Sequence, residues 1–210
     1  MDSVAGASAR AEAERRRAAR SARVRREHPR IGGLILALTD EPQTTKNWDV
    51  GAAAEELVGR MLDKQTSARV LHDRVAPGRT HANLDHVVVT PGGVVVVDTK
   101  RYKGRIDVSR RSLKIAGRDR TRLVEDVEEQ AAGVQRLLGS RTSVRGCLCF
   151  VGGEFTLIAP SSCRDVRVTG TAGLRRYIAR LARGDVVDVD DVGRWLAASL
   201  APARAVSQPP

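Results

Sequence analysis

Two short apolar runs separated by a tight turn constrain this chain more than any other feature. Leu84 to Val89 and Val94 to Val97 are rich in β-branched residues, and the turn Thr90-Pro-Gly-Gly93 lies between them. Runs of this length bounded by proline and glycine are typical of buried strands. The pattern therefore predicts a hairpin whose two strands lie inside a sheet.

Three charged residues stand in this apolar hairpin. Asp85 lies in the first strand, and Asp98 and Lys100 end the second. Residues two apart on a strand point to the same face, so Asp98 and Lys100 are expected to project together. Facing positions on neighbouring strands lie roughly 5 Å apart, which lets Asp85 approach Asp98. Two carboxylates this close repel each other unless a cation lies between them, and carboxylate oxygens suit Mg²⁺ or Mn²⁺.

A metal beside a lysine favours phosphodiester chemistry. Lys100 could hold an attacking water and offset the charge that grows on phosphorus. The preceding helix carries Glu55 and Glu56, either of which could supply a third acid, with Glu55 preferred. A structural ion pair at a strand end is the alternative interpretation of Asp98 and Lys100. His86 faces the other side of its strand, which indicates a packed or hydrogen-bonded histidine.

Hydrophobic periodicity predicts the remaining elements. The predicted helices are 49–64, 121–138, 174–181 and 190–200, and the predicted strands outside the hairpin are 68–75, 102–108, 113–116, 144–151, 155–159 and 166–168. Asp73, Arg74 and Asp107 are predicted to be ordinary surface charges. The order of the elements predicts an α/β fold in which helices flank a mixed sheet.

Composition divides the chain into five parts. Residues 1–30 hold nine arginines against four acids and show no apolar stripe that would dock them. This predicts a basic arm, helical or disordered, which is either a solvated tail or an arm that binds phosphate. An apolar segment and linker at 31–47 precede a core at 48–152. A mixed extension at 153–200 and a loose tail at 201–210 follow the core.

The charge balance of the chain indicates its partner. A net charge of +11 favours a polyanion, nucleic acid before a membrane surface. Aromatic residues make up only 3% of the chain, which argues against a base-stacking platform for single strands. The apolar run at 31–38 is far shorter than the roughly 20 residues that cross a bilayer. Cys147 and Cys149 are predicted to be small core residues in a reduced, cytoplasmic protein.

The stretch from Trp48 to about Leu138 resembles the nuclease-related domain, NERD, a branch of the PD-(D/E)xK restriction-endonuclease-like superfamily. The matching motifs are W-D-V-G-A-A-A-E at 48–55, N-L-D-H-V-V-V-T-P-G-G-V-V-V-V-D-T-K at 83–100, R-Y-K-G at 101–104, and Gln130 on the later helix. The resemblance implies a restriction-endonuclease-like core of αβββαβ order.

The resemblance also implies a role for each matching site residue. Glu55, Asp85 and Asp98 would bind Mg²⁺ or Mn²⁺, Lys100 would be the catalytic lysine, and Gln130 would contact the site. Asp98 stands where the family usually has glutamate. Its side chain is one methylene shorter, which could move a metal ligand by about 1 Å, enough to reduce activity.

The predicted function is that of a cytoplasmic, Mg²⁺- or Mn²⁺-dependent nuclease that hydrolyses DNA. Three basic residues follow the site directly and are expected to contact nucleic acid: Arg101, Lys103 and Arg105. No membrane partner is expected, and a homodimer is compatible with the sequence. The alternative is a non-catalytic domain that keeps the nuclease fold and binds nucleic acid or another protein.

Overall fold

A computed structural model describes residues 4–27, 43–78, 83–156 and 160–203, with only the backbone described for 43–50. The predicted apolar segment at 31–38, the last residues of the strand predicted at 155–159, and most of the predicted tail lie outside these residues.

The elements follow one another in this order: α1 (Ala7–Glu27), α2 (Gln43–Asp63), β1 (Arg69–Val75), β2 (Asn83–Thr90), β3 (Gly93–Arg101), β4 (Arg105–Val108), β5 (Leu113–Ile115), β6 (Arg118–Asp119), α3 (Arg122–Leu138), β7 (Val144–Val151), β8 (Glu154–Phe155), β9 (Ser162–Cys163), β10 (Val166–Gly170), α4 (Thr171–Leu181) and α5 (Val189–Ser199). The core from α2 to β7 has the αβββαβ order, with β4 to β6 as an excursion after β3.

The main sheet is mixed and has six strands in the order β1-β2-β3-β7-β10-β9. Strand β2 is antiparallel to both β1 and β3, whereas β7 runs parallel to both β3 and β10. A smaller sheet has the order β6-β5-β4-β8. The predicted α/β fold, a restriction-endonuclease-like core with helices around a mixed sheet, is confirmed.

The predicted hairpin forms the centre of the main sheet. Thr90 faces Gly93 across the turn, and the Thr90 hydroxyl donates a hydrogen bond to the Gly93 carbonyl at 2.7 Å. Gly93 has a φ of 128°, which glycine adopts without the strain of a Cβ atom. Val94 to Val97 are fully buried, because helices cover both faces of β3.

Helices α2 and α3 lie on opposite faces of β3. Val94 and Val96 belong to the cluster that contains Val134 of α3, whereas Val95 and Val97 belong to the cluster that contains Val58 of α2. By the same alternation, residues 98 and 100 continue the α3 face of the strand.

The helix α1 docks on α2, contrary to the expectation from its composition. Ala9 and Ala13 of α1 are buried. A Cβ atom on Gly59 of α2 would lie only 2.7 Å from the methyl group of Ala5, so the segment that leads into α1 lies very close to α2. The expectation that nothing docks this arm is wrong, because the docking stripe consists of alanines, which a search for large apolar residues overlooks.

Several boundaries differ from the periodicity-based prediction. Helix α2 begins at Gln43, so the predicted linker residues 43–47 are helical. The two-residue strands β6 and β9 were not predicted, because so short a segment carries no periodicity. The predicted core cysteines Cys147 and Cys149 are confirmed as buried free thiols.

The C-terminal segment returns to the outer margin of β1. The amide of Val75 donates to the Ala201 carbonyl at 2.9 Å, and the amide of Ala203 donates to the Asp73 carbonyl at 2.8 Å. Arg74 Nη1 donates to the Leu200 carbonyl at 3.2 Å. Residues 201–203 of the tail predicted to be loose are therefore bound to the sheet. Within the described ranges, every helix is too short or too polar to cross a membrane.

Candidate functional site

The end of β3 carries the two charged residues whose spacing predicted a shared face. Asp98 is buried, with 6% of its surface exposed, and follows directly on four buried valines. Lys100 Nζ lies 2.6 Å from Asp98 Oδ2. The two side chains therefore project together, as the alternation of the strand requires.

Asp85 lies next to them on β2. The β2–β3 ladder ends with the pair of His86 and Val97, which brings Asp85 beside Asp98. Asp85 Oδ2 accepts a hydrogen bond from the Thr99 amide at 2.7 Å, and this bond fixes the carboxylate against the end of β3. The hairpin thus positions three charged side chains at one place.

The pKa of Asp85 indicates that positive charge does not fully balance the negative charge in the site. Burial and repulsion from Asp98 raise the pKa of Asp85 to about 7, although Lys100 and the Thr99 amide act in the opposite direction. Burial lowers the pKa of Lys100, but attraction to Asp98 and Asp85 outweighs it and raises that pKa above its usual range. Lys100 therefore remains a cation at neutral pH.

Glu55 joins the same site from α2. Burial and repulsion from Asp85 raise its pKa to about 9, whereas attraction to Lys100 lowers it. Glu56 instead forms ion pairs with Arg10 of α1 and Arg60, and only 19% of its side chain is exposed. Of the two glutamates that the sequence left open, Glu55 interacts electrostatically with Asp85 and Lys100, whereas Glu56 pairs with Arg10 of α1.

Gln130 lies on α3, the helix that covers the face of β3 to which Asp98 belongs. The next residue, Ala131, packs in the cluster that contains Val94 and Val96. The Gln130 side-chain oxygen is buried and accepts no hydrogen bond from the described residues. Gln130 therefore lies on the side of the sheet that its implied contact with the site requires. Among the described residues, however, its oxygen forms no hydrogen bond with the charged residues.

The three basic residues expected to contact nucleic acid are exposed after β3. Arg101 and Lys103 are solvent-exposed, as is Arg105. Arg105 Nε lies 2.7 Å from Asp107 Oδ1, and that carboxylate also accepts a hydrogen bond from the Thr156 hydroxyl. Asp107 is thus a surface charge, as predicted, and it holds Arg105 beside the small sheet.

Asp73 and Arg74 are buried, so the prediction that they are surface charges is wrong. Their exposed fractions are 2% and 3%. Asp73 has a φ of 47° and lies between the ladder pairs His72 with His86 and Arg74 with Leu84, which places it opposite Asp85. Strand alternation alone does not reveal this burial, because the backbone at Asp73 has a positive φ and its partner Ser8 lies in the distant helix α1.

The N-terminal helix satisfies the buried Asp73 carboxylate. The backbone amide and the hydroxyl of Ser8 each donate to it at 2.8 Å, and Asn83 Nδ2 donates at 3.3 Å. Burial raises the pKa of Asp73, and the two Ser8 donors oppose that rise. Ser8 had no recognisable role in the sequence, because its partner is far away in the chain.

The packed role predicted for His86 is confirmed. Its ring is buried, and its Nδ1 lies 2.9 Å from His72 Nδ1. Burial lowers the pKa of His86 to about 3, so the ring stays neutral at physiological pH. His86 therefore belongs to the core on the other face of the strand from Asp85.

The donor set suits a hard divalent cation in its chemistry. Glu55, Asp85 and Asp98 offer carboxylate oxygens, which Mg²⁺ and Mn²⁺ prefer. The Asp98 Oδ2 atom is buried and accepts no hydrogen bond of good geometry from the described residues. Among those residues, however, no three acidic, histidine or cysteine side chains converge closely enough to hold an ion as they stand. Side-chain rotation would therefore have to accompany binding.

This combination of fold and site defines a class of protein. A mixed sheet of αβββαβ order with acids and a lysine at the ends of its hairpin strands is the architecture of the PD-(D/E)xK, restriction-endonuclease-like class. The family model of the nuclease-related domain, NERD, matches residues 50–151, which are just under half of the chain. Searches of curated proteins and of solved structures found no match to the chain. The family indicates a nuclease-related function.

Proposed function

We propose that this chain is a divalent-metal-dependent phosphodiesterase that hydrolyses DNA. The observation that carries the proposal is the meeting of Asp85, Asp98 and Lys100 at adjoining strand ends within the nuclease-related domain. The raised pKa of Glu55 supports its inclusion, because that shift arises partly from Asp85.

Three carboxylates would hold the cation, namely those of Glu55, Asp85 and Asp98. A bound Mg²⁺ or Mn²⁺ ion supplies Lewis acidity toward a phosphate oxygen and acidifies a coordinated water. The Thr99 amide keeps Asp85 oriented toward β3. Gln130 is assigned to the edge of the same site, where its orphaned oxygen would accept a hydrogen bond from water or substrate.

Lys100 supplies positive charge where negative charge develops on the phosphate. Its Nζ is close to Asp98, and its raised pKa keeps it protonated. A fixed cation in a site of low polarity stabilises a transition state more than it would in water. Arg101, Lys103 and Arg105 would bind neighbouring phosphates, because all three are exposed between the end of β3 and the start of β4.

Replacing Lys100 tests this mechanism. With Mg²⁺ or Mn²⁺ present, we expect the parent to cleave plasmid DNA and Lys100→Met to lose roughly 100- to 1000-fold in rate. Lys114→Met is the matched control, because Lys114 is exposed on the small sheet. Equal cleavage by Lys100→Met and the control would contradict the proposal.

A non-catalytic, nucleic-acid-binding role is the second candidate. It is favoured by the 2.6 Å approach of Lys100 to Asp98, which neutralises that acid within the protein itself. Under this alternative, Mn²⁺ shows no calorimetric binding to the parent. Binding that Asp98→Asn abolishes would instead support the enzyme. Salt-dependent DNA binding without turnover would support the alternative.

A further inference from the structure

The helix α1 is a long basic element fixed to the nuclease-related domain. It has 21 residues, which corresponds to roughly 30 Å. Eight arginines against three glutamates give it a net charge of +5. Ala9 and Ala13 form its buried face, so the arginines occupy the remaining faces.

The helix is attached beside the acidic site. Ser8 donates two hydrogen bonds to Asp73, and Arg10 pairs with Glu56. Asp73 lies opposite Asp85 in the β1–β2 ladder, and Glu56 directly follows Glu55. The first turns of α1 therefore contact the immediate neighbours of two proposed metal ligands, and the rest of the helix continues from that point.

The C-terminal third of α1 carries three exposed arginines away from the docked end. Arg23, Arg25 and Arg26 are solvent-exposed, whereas Glu12 nearer the docked end is engaged by Arg15 and Arg16. One strand of B-form DNA presents a phosphate about every 3.4 Å along the axis, so roughly 30 Å of helix matches about nine base pairs.

We propose that α1 is a fixed basic arm that binds the phosphate backbone of DNA next to the catalytic site. The inference deepens the proposed nuclease function and rests on it for the identity of the polyanion. Such contacts position the substrate without reading its sequence. An anionic membrane fits less well, because α1 lacks the Leu, Phe or Trp residues with which interfacial helices enter lipid.

The test compares two sets of three exposed arginines. The arm variant changes Arg23, Arg25 and Arg26 to Gln, a residue of good helix propensity. The control variant changes Arg176, Arg180 and Arg183 to Gln. The control set lies beside the β2–β3 turn, because a Cβ atom on Gly92 of that turn would lie 2.6 Å from the Leu181 carbonyl. This turn is at the opposite end of β3 from Lys100.

Binding is measured by fluorescence anisotropy with a duplex of about 20 base pairs, over roughly 50 to 200 mM salt in EDTA. We expect the arm variant to bind at least roughly tenfold more weakly and to lose about 2 to 3 units from the slope of log affinity against log salt concentration. The control should retain the parent slope. Circular dichroism checks that both variants stay folded.

An unchanged slope in the arm variant, or an equal loss in the control, would overturn the inference. So would binding of the parent to phosphatidylserine-containing vesicles at least as tightly as to the duplex. Because EDTA removes catalysis from the measurement, the two proposals fail separately. If the parent shows the arm effect but never cleaves DNA, the arm proposal is supported and the nuclease proposal is contradicted. A parent that cleaves without an arm effect contradicts only the arm. A parent that does not bind DNA in EDTA also contradicts the arm, and its cleavage with Mg²⁺ or Mn²⁺ then decides the nuclease.

Discussion

At the scale of single residues, the acidic site makes folding stability depend on pH. The pKa of Glu55 is about 9 and that of Asp85 about 7 in the folded chain, against ordinary values of 4.5 and 3.8. Between the ordinary and the raised values the folded state holds protons that the unfolded state has released, so stability falls as pH rises. His86 has a lowered pKa and affects stability only below its ordinary value of 6.5.

We therefore expect the urea midpoint of the metal-free protein to fall between pH 6.5 and about 9. Each proton contributes at most about 1.4 kcal/mol per pH unit. Glu55→Gln should flatten the profile, because it removes the larger shift. Asp165→Asn, at an exposed position, should leave it as in the parent. A parent profile that is flat, or equally steep in Glu55→Gln, would contradict this assignment.

The residues of the site differ in how far the sequence could reveal them. Strand alternation was sufficient for Asp98 and Lys100, and the hairpin register for Asp85, because these depend on local geometry. Glu55 was preferred to Glu56 from the residues, and the resemblance supported that choice. Asp73 was missed, since its backbone has an unusual positive φ of 47° and its partner Ser8 lies in the distant helix α1.

At the scale of elements, the approach of α3 to the sheet depends on Gly146. A Cβ atom there would lie 2.8 Å from Val127 Cγ1 and 3.2 Å from Val166 Cγ2. We expect Gly146→Ala to destabilise the fold by roughly 1–3 kcal/mol, because α3 or β10 must shift. Thermal unfolding measures the loss as a decrease of roughly 2–4 °C per kcal/mol.

The matched substitution Gly51→Ala should have the opposite sign. Gly51 lies in α2, where no described atom outside the adjoining helix backbone lies within 4 Å of the added methyl group, and alanine favours a helix by up to about 1 kcal/mol. A decrease in melting temperature of equal size in both variants would show that contact with α3 is not the cause.

Elements with several turns or with long apolar runs were predictable. Helix α3 and strand β7 were both found within a residue of their observed bounds, since each carries a clear period. The docking of α1 could not be read in the same way. Its contact face consists of alanines, which carry little hydrophobic signal and act by allowing close approach to Gly59.

At the scale of the whole molecule, the C-terminal segment closes the core. Leu200 is 1% exposed and packs in the cluster that contains Val134 of α3. Its carbonyl accepts a hydrogen bond from Arg74. We expect Leu200→Ala to reduce the free energy of unfolding by roughly 2–5 kcal/mol in urea denaturation. Val186→Ala, at a residue that is 80% exposed, should stay within about 0.5 kcal/mol of the parent. Similar losses in both would show that Leu200 is not a core residue.

The return of residues 201–203 to β1 also restricts how copies of this chain can associate. An unpaired margin of a sheet offers amides and carbonyls to which another chain can add a strand. On the β1 margin, Val75 and Asp73 already use theirs within the same chain, and the opposite margin is the two-residue strand β9. Strand addition by a second copy at this end of β1 is therefore blocked, so two copies placed to cut both strands of a duplex would meet elsewhere on the surface.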